Sequence, residues 1–395
     1  MNILMISDVY FPRINGVSTS IDTFRKALSC LGHQVSLIAP DYKTGGDDDA
    51  GISRVPSRYL VLDPEDRIMQ ARHILALEAE LAERSFDLLH IQTPFIAHKA
   101  GIELARRLHL PVVESYHTYF EEYLYHYVPF VPRALMRSAA RWLTRRQCNR
   151  VDAVAVPSRS MHEVMIRYGV TVPVSIVPTG IDFNAIQGGS RERFCETHSI
   201  NPARPILVYV GRVAHEKNIG FLLEMLIEVR QVYPEILLVI AGEGPAYRSL
   251  LRKTAELGLQ KNVRIMGYLE RGPALWDCFC AGDVFVFASA TETQGLVLLE
   301  AMSLGVPIVS TAVMGTKDIL DAGKGALVAG DSITDFSGQV IRLLSDDALR
   351  MRLSEEGRDY VQEWSAECNA RRMVNFYDSV MARQMQDGLV SDSSC

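Results

Sequence analysis

Two glutamates eight residues apart, Glu292 and Glu300, frame the stretch richest in chemical content, residues 289–308 (SATETQGLVLLEAMSLGVPI). Between them Thr293, Gln294 and Gly295 lead into a helix that starts at Leu296 and closes near Gly305. A helix start offers unsatisfied N–H groups and the positive end of a dipole, which together hold an anion such as phosphate. Gly295 allows the backbone to come close to that anion. Glu292 stands in the loop and Glu300 more than one turn into the helix, so their carboxylates address different depths of one bound ligand. Carboxylates accept hydrogen bonds from sugar hydroxyls. Either glutamate alone reads as a solvated acid; the string as a whole reads as a phosphate-and-sugar site.

Three weaker signals belong beside it. Residues 211–220 (GRVAHEKNIG) place Arg212 and Lys217 after a strand, and both cations suit phosphate oxygens. Taken alone they are two surface cations flanking Glu216. Residues 12–18 (PRINGVS) place Gly16 in the loop after the first strand, where it permits a close backbone approach. Residues 114–120 (ESYHTYF) put His117 just past a buried strand, a position equally open to a structural and to a catalytic histidine.

These residues need a scaffold that gathers loops after strands. Residues 2–7 (NILMIS), 34–40 (QVSLIAP), 88–92, 111–116 and 153–157 are short apolar runs that read as buried strands. Helical spacing separates them over 20–31, 68–83 and 100–108. The pattern restarts with strands at 205–210 (PILVYV), 236–241, 263–266, 283–288 and 307–310, and a helix at 219–231. Strand alternating with helix means a parallel sheet covered on both faces. The expected fold is therefore α/β, with two doubly wound Rossmann-like domains. Ligands of such sheets bind beyond the carboxyl ends of the strands, so facing domains would hold the site in a cleft between them. The expected organisation is an acceptor-side domain over 1–180, a linker over 181–200 at the Pro- and Gly-rich VPTGID hinge, and a nucleotide-sugar domain over 201–363. A C-terminal helix over 364–395 should pack back on the first domain and end in a frayed tail.

Composition narrows the function classes. The chain has 395 residues and a net charge of −6, with 48% apolar and 22% charged residues, as in folded soluble proteins. That balance argues against a disordered chain and against a dedicated nucleic-acid binder. The seven cysteines are scattered and match no zinc or redox spacing, so reduced thiols are expected. Residues 1–7 are apolar, but Asp8 and Arg13 follow at once, unlike a targeting segment. A cytoplasmic protein that meets the membrane only at its surface is expected. No G-x-G-x-x-G follows the first strand, no P-loop spacing surrounds Gly323, Lys324 and Gly325, and no HExxH occurs. Asp47, Asp48 and Asp49 (GGDDDAG) read as a solvated loop, so no metal and no cofactor is expected.

Gly16, the GRVAHEKNIG loop, the Glu292-x7-Glu300 element, VPTGID and the AGEGP loop at 241–245 together resemble retaining glycosyltransferases of the GT-B fold, in the GT4 group. The likeness spans essentially the whole chain. It implies that Arg212 and Lys217 bind the diphosphate of a UDP- or GDP-hexose, that Glu300 binds the ribose and that Glu292 contacts the sugar. Thr293, Gln294, Gly295 and Leu296 line the same donor loop, Gly16 approaches the donor and His117 touches the transferred sugar. Many members carry Phe where this chain has Gln294, which bears on sugar choice. The family retains anomeric configuration, possible through same-face attack with the diphosphate oxygen taking the acceptor proton. Catalysis then lies mainly in stabilising leaving-group charge.

The acceptor side is aromatic and basic. Residues 116–132 (YHTYFEEYLYHYVPFVP) carry five Tyr and two Phe, including Tyr119 and Tyr123. The next stretch, 133–150 (RALMRSAARWLTRRQCNR), repeats arginine at 133, 137, 141 and 145, one helical face. Leu135, Met136, Ala139, Trp142 and Leu143 supply an apolar side. Such a helix either lies on anionic lipid or packs on its own domain with salt-bridged arginines. The stretch is similar to GT4 members that glycosylate diacylglycerol, which implies a lipid acceptor and membrane contact through Tyr119, Tyr123, Arg137, Arg141, Trp142 and Arg145. The alternatives are a phosphatidylinositol mannosyltransferase, a surface-polysaccharide enzyme with a glycan acceptor, or a non-catalytic nucleotide- or membrane-binding module.

Overall fold

The structure is a computed structural model that describes residues 1–43, 51–60, 63–119, 121 and 133–392. Asp47, Asp48, Asp49 and Tyr123 lie outside the described residues. The chain divides into two compact units: Met1–Gly180 with Ala366–Cys395, and Ile181–Ser365.

The first unit is built on a seven-stranded parallel sheet, β3-β2-β1-β6-β7-β8-β9. Its strands are β1 (Asn2–Ile6), β2 (Gln34–Pro40), β3 (Ile52–Val55), β6 (Leu88–Ile91), β7 (Val112–Ser115), β8 (Ala153–Val156) and β9 (Val174–Ile176). A separate antiparallel hairpin joins β4 (Ser57–Leu60) and β5 (Asp63–Met69). The helices are α1 (Gly16–Cys30), α2 (Ala71–Leu75), α3 (Glu78–Ala82), α4 (Ile96–Leu108), α5 (Arg133–Cys148) and α6 (Arg159–Tyr168). The central strands are buried along their whole length, as β6, β7 and β8 show. Continuous apolar runs form such strands because both faces of a parallel sheet are covered.

The second unit has a six-stranded parallel sheet, β12-β11-β10-β13-β14-β15. Its strands are β10 (Ile206–Val210), β11 (Leu237–Ala241), β12 (Val263–Gly267), β13 (Val284–Phe287), β14 (Ile308–Ser310) and β15 (Ala326–Val328). Its helices run α7 (Arg191–Thr197), α8 (Ile219–Val232), α9 (Tyr247–Glu256), α10 (Pro273–Cys280), α11 (Leu296–Ser303), α12 (Thr316–Leu320), α13 (Ile333–Ser345) and α14 (Asp347–Tyr360). The last helix, α15 (Ala366–Asp392), returns to the first unit. There Ala370, Met373, Phe376, Tyr377 and Val380 join the core with Ile3, Met5 and Leu88.

Three local expectations are corrected. The stretch 68–83 is not one helix: β5 continues to Met69, and α2 and α3 follow as short separate turns. Arg67 donates to the Tyr42 carbonyl at 3.0 Å and lies 3.5 Å from the Tyr59 ring centroid, tertiary contacts that draw this segment into the hairpin. Residues 181–200 are not a free linker, because Ile181, Ile186, Phe194, Cys195 and Ile200 are buried in the second unit's core. Gly16 does not sit in a loop but opens α1, because the Asn15 side chain caps the helix by accepting from Ser18 N at 2.9 Å.

Candidate active site

Where β10 and β13 end, the second unit brings Lys217 and Glu292 together, 75 residues apart in sequence. Lys217 Nζ donates to Glu292 Oε2 at 2.5 Å, and both side chains are about one-fifth exposed. Gly211 follows β10 with φ +152°, and Tyr209, fully buried, donates its hydroxyl to the Arg212 carbonyl at 3.2 Å. That hydrogen bond fixes the start of the loop carrying Arg212. A one-turn 3-10 helix, His215–Lys217, then presents the lysine. The neighbouring loop after β11 packs with no room for a side chain: a Cβ on Gly242 would stand 1.9 Å from the Gly211 carbonyl oxygen.

The loop before α11 is held as tightly. Gly315 N donates to the Glu292 carbonyl at 2.8 Å, and a Cβ on Gly315 would stand 2.0 Å from Thr293 O. Gly295 adopts φ +100°, a left-handed conformation that glycine takes without strain. From it α11 starts at Leu296, with Gln294 and Gly295 buried and Glu292, Thr293 and Leu296 half-buried. Glu300 is buried one turn further in. Its Oε1 accepts from Arg271 Nη1 at 2.5 Å, and the Arg271 guanidinium lies 5.4 Å from the Trp276 ring centroid. Each glutamate of the pair thus meets a cation. A carboxylate has acceptor capacity beyond one such bond, so both can accept from ligand hydroxyls while these contacts persist.

In the first unit, Asp8, Gln92, Thr93 and His117 follow the ends of β1, β6 and β7. His117 Nε2 lies 3.1 Å from Gln92 Oε1. Burial pushes the His117 pKa down to about 4, so the ring is neutral at ordinary pH. Behind it the fully buried His90 bridges Tyr377 OH at 2.7 Å and Ser115 Oγ at 2.8 Å, fastening α15 to the sheet. Asp8 accepts from Thr93 Oγ1 at 2.8 Å and from Ala97 N at 3.0 Å; burial raises its pKa to about 6 against these stabilising hydrogen bonds. Gly16 leaves open space where a Cβ would stand.

The basic helix is arranged differently from the expected arginine face. Ala140, Thr144 and Cys148 are its buried side, while Leu135, Trp142 and Leu143 are 62%, 59% and 46% exposed. Arg141 makes a two-pronged pair with buried Glu121, from Nε at 3.1 Å and Nη2 at 2.5 Å, and Arg137 Nε stands 3.7 Å from the same carboxylate. Arg137 and Arg141 are therefore half-exposed partners of an internal acid rather than an unpaired lipid-facing row. Arg145 lies against Gly169, Arg146 lies 5.2 Å from the Trp142 ring centroid, and Tyr119 is half-buried. The outward side thus mixes Leu135, Trp142 and Leu143 with the exposed Arg137, Arg141, Arg145 and Arg146. Among the described residues, no helix is long and apolar enough to cross a membrane.

Sequence reasoning did not single out Arg271, Gln92 or Glu121. The first two follow strands, where the same search rule could have found them; Glu121 had only its place in the aromatic run as a signal.

Comparison with known proteins covers the chain end to end. The family described as Glycosyltransferase Family 4 matches residues 14–185, and that described as Glycosyl transferases group 1 matches residues 190–384. Alpha-monoglucosyldiacylglycerol synthase of Streptococcus pneumoniae is 30% identical over 406 aligned positions, covering 100% of this chain and 89% of the relative. The protein of the same name from Acholeplasma laidlawii is 28% identical, covering 78% of this chain and 80% of its own. The solved structure of sucrose-phosphate synthase from Thermosynechococcus elongatus superposes with a TM-score of 0.78 at 19% identity, covering 97% and 99% of the two chains, a likeness of fold.

Proposed function

The chain belongs to the family 4 glycosyltransferases of the GT-B fold, and from that premise we propose that it moves a hexosyl group from a nucleoside-diphosphate sugar to a diacylglycerol-type lipid with retention of configuration. The observation that carries the donor half is the meeting of Lys217 and Glu292 beside the start of α11. In this reading Lys217, Arg212 and the N–H groups at the helix start take the diphosphate. Their positive charge stabilises the leaving group as the glycosidic bond breaks. Glu300 accepts from the ribose hydroxyls and Glu292 from the sugar. Thr293, Gln294, Gly295 and Leu296 shape the donor loop; Gly16 approaches the donor and His117 touches the transferred sugar. The acceptor hydroxyl attacks the face the leaving group vacates, and a diphosphate oxygen takes its proton.

The lipid half draws on the two relatives that bear the diacylglycerol synthase name, and on Leu135, Trp142 and Leu143 exposed on α5 among its arginines. We place the protein peripherally on an anionic membrane surface, with Leu135, Trp142 and Leu143 entering the interface and Arg145 and Arg146 near headgroups. No metal takes part in this reading, so turnover should survive EDTA.

A thermal-shift panel of UDP- and GDP-sugars tests the donor half, since a ligand that binds only the folded state raises its stability. One nucleotide series should raise the melting temperature. A flat response across the panel would instead favour a non-catalytic module. Flotation with phosphatidylglycerol vesicles at low and high salt tests the membrane half, and absence of binding at both salts would remove it.

A further inference from the structure

Three residues of α5 reach the elements around His117 through four hydrogen bonds. Tyr116, the residue before it, shares a hydrogen bond between its hydroxyl and Thr144 Oγ1 at 2.8 Å, both groups buried. Glu121, four residues after it, accepts the two-pronged contact from Arg141. Gln147 Nε2 donates to the Pro94 carbonyl at 2.6 Å, on the loop that begins with Gln92, the side chain facing His117. Residues 141, 144 and 147 recur every three positions along one side of the helix, which places them on neighbouring parts of its surface. His117 therefore lies in sequence between two residues, Tyr116 and Glu121, that are each bonded to α5, and its Gln92 partner belongs to a third element fastened to the same helix.

Glu121 is the charged member of this set. It is 5% exposed, and a buried carboxylate is costly unless paired. Burial pushes its pKa up, but hydrogen bonds from Arg141 and Tyr168 with the nearby charges of Arg141 and Arg137 outweigh that, and the net direction is down. It stays anionic and takes donors from two helices: Arg137 and Arg141 on α5 and the Tyr168 hydroxyl at the end of α6. Nothing in this arrangement requires the acid to touch substrate. Its geometry serves to hold the span that carries His117.

We propose that Glu121 is a positioning residue for the transfer reaction: by gripping Arg141 it sets the place of His117 relative to α5. This rests on the reading of His117 as a contact of the transferred sugar. The same helix that exposes Leu135, Trp142 and Leu143 then carries the fastenings of the reacting end of the first unit.

The test compares wild type with Glu121→Gln, Arg141→Gln, the double variant and His117→Ala, using UDP-glucose and diacylglycerol in phosphatidylglycerol vesicles, with acceptor-free donor hydrolysis as a second readout. Glu121→Gln keeps the shape and removes the charge. It should lower kcat about tenfold or more in both readouts while leaving the donor KM within twofold, because the proposed diphosphate and ribose contacts lie in the second unit. The double variant should be no worse than the weaker single variant, since both substitutions break one grip. Thr144→Val, which loosens the other flank without leaving a charge unpaired, should reproduce the kcat loss in smaller degree and covers the case of a poorly folding Glu121 variant. Wild-type kcat in folded Glu121→Gln, or losses that multiply in the double variant, would overturn the proposal. Wild-type turnover in His117→Ala would instead overturn the reading beneath it.

Discussion

Replacing Lys217 by alanine removes the cation assigned to the donor diphosphate and strips Glu292 of a partner at 2.5 Å. Two effects follow, and they can be separated. A charge-assisted hydrogen bond is worth roughly 1.5–3 kcal/mol, and a donor to developing transition-state charge about 2.7–4 kcal/mol. On those figures kcat/KM for the nucleotide sugar should fall by roughly 100- to 1,000-fold. Part of the loss is repulsive, because Glu292 without Lys217 faces an anionic donor in a half-buried loop. Lys217→Ala/Glu292→Gln should therefore regain donor binding by about tenfold over Lys217→Ala, as charge repulsion is relieved, while kcat stays low because the sugar contact is altered. Steady-state kinetics with calorimetry on UDP and UDP-glucose resolves the two terms. A folded Lys217→Ala variant within threefold of wild-type kcat/KM would refute the reasoning, and so would a double variant that binds donor no better than the single.

Glu300→Ala should raise donor KM about tenfold with a smaller change in kcat, and should leave Arg271, 2.5 Å away, without its carboxylate partner; UDP calorimetry reads this directly. With a folded pKa near 4 against 6.5 in the unfolded chain, His117 should leave kcat/KM flat from pH 6 to 8 and depress activity only as pH falls through about 4. The same offset makes its contribution to stability fully present above pH 6.5 and progressively lost as pH falls toward 4. An inflection near pH 6.5 that disappears in His117→Asn would contradict this. Leu135→Ser/Trp142→Ser should cut phosphatidylglycerol vesicle binding at least tenfold while acceptor-free donor hydrolysis stays within twofold, because the pair is exposed on α5 and removing apolar area weakens interfacial partition. Gly242→Ala should lower the melting temperature by several degrees, since its Cβ would stand 1.9 Å from the Gly211 carbonyl oxygen and both residues have φ above +140°.

The parallel strands were legible because their residues are apolar without alternation: β1 as NILMI and β10 as ILVYV are buried almost throughout. The donor loop was legible because glycine, glutamate and a helix start coincide there. The pairing of Lys217 with Glu292 and of Arg271 with Glu300 could not be read the same way, as each contact forms only when the sheet gathers segments distant in sequence: those after β10 and β13 for the first, those after β12 and β13 for the second. Helical periodicity separated two sides of α5 but did not say which one turns inward. The small residues Ala140, Thr144 and Cys148 held that information, since a closely packed, buried side favours them over arginine and tryptophan. The helix expected over 68–83 failed for a related reason: spacing does not register the distant Tyr42 carbonyl that Arg67 reaches.

The central claim is that the chain transfers a hexose from a nucleotide sugar to a lipid hydroxyl. Incubating the full-length protein with UDP-[14C]glucose, and in parallel with GDP-[14C]mannose, and phosphatidylglycerol vesicles containing diacylglycerol tests it directly by counting label in the extracted lipid. An α-linked labelled glycolipid should form from one of the donors with wild type, and with neither Lys217→Ala nor His117→Ala at more than a few per cent of its rate. Label that stays entirely in the aqueous phase with both donors, from protein that binds the nucleotide sugar, would contradict the lipid acceptor.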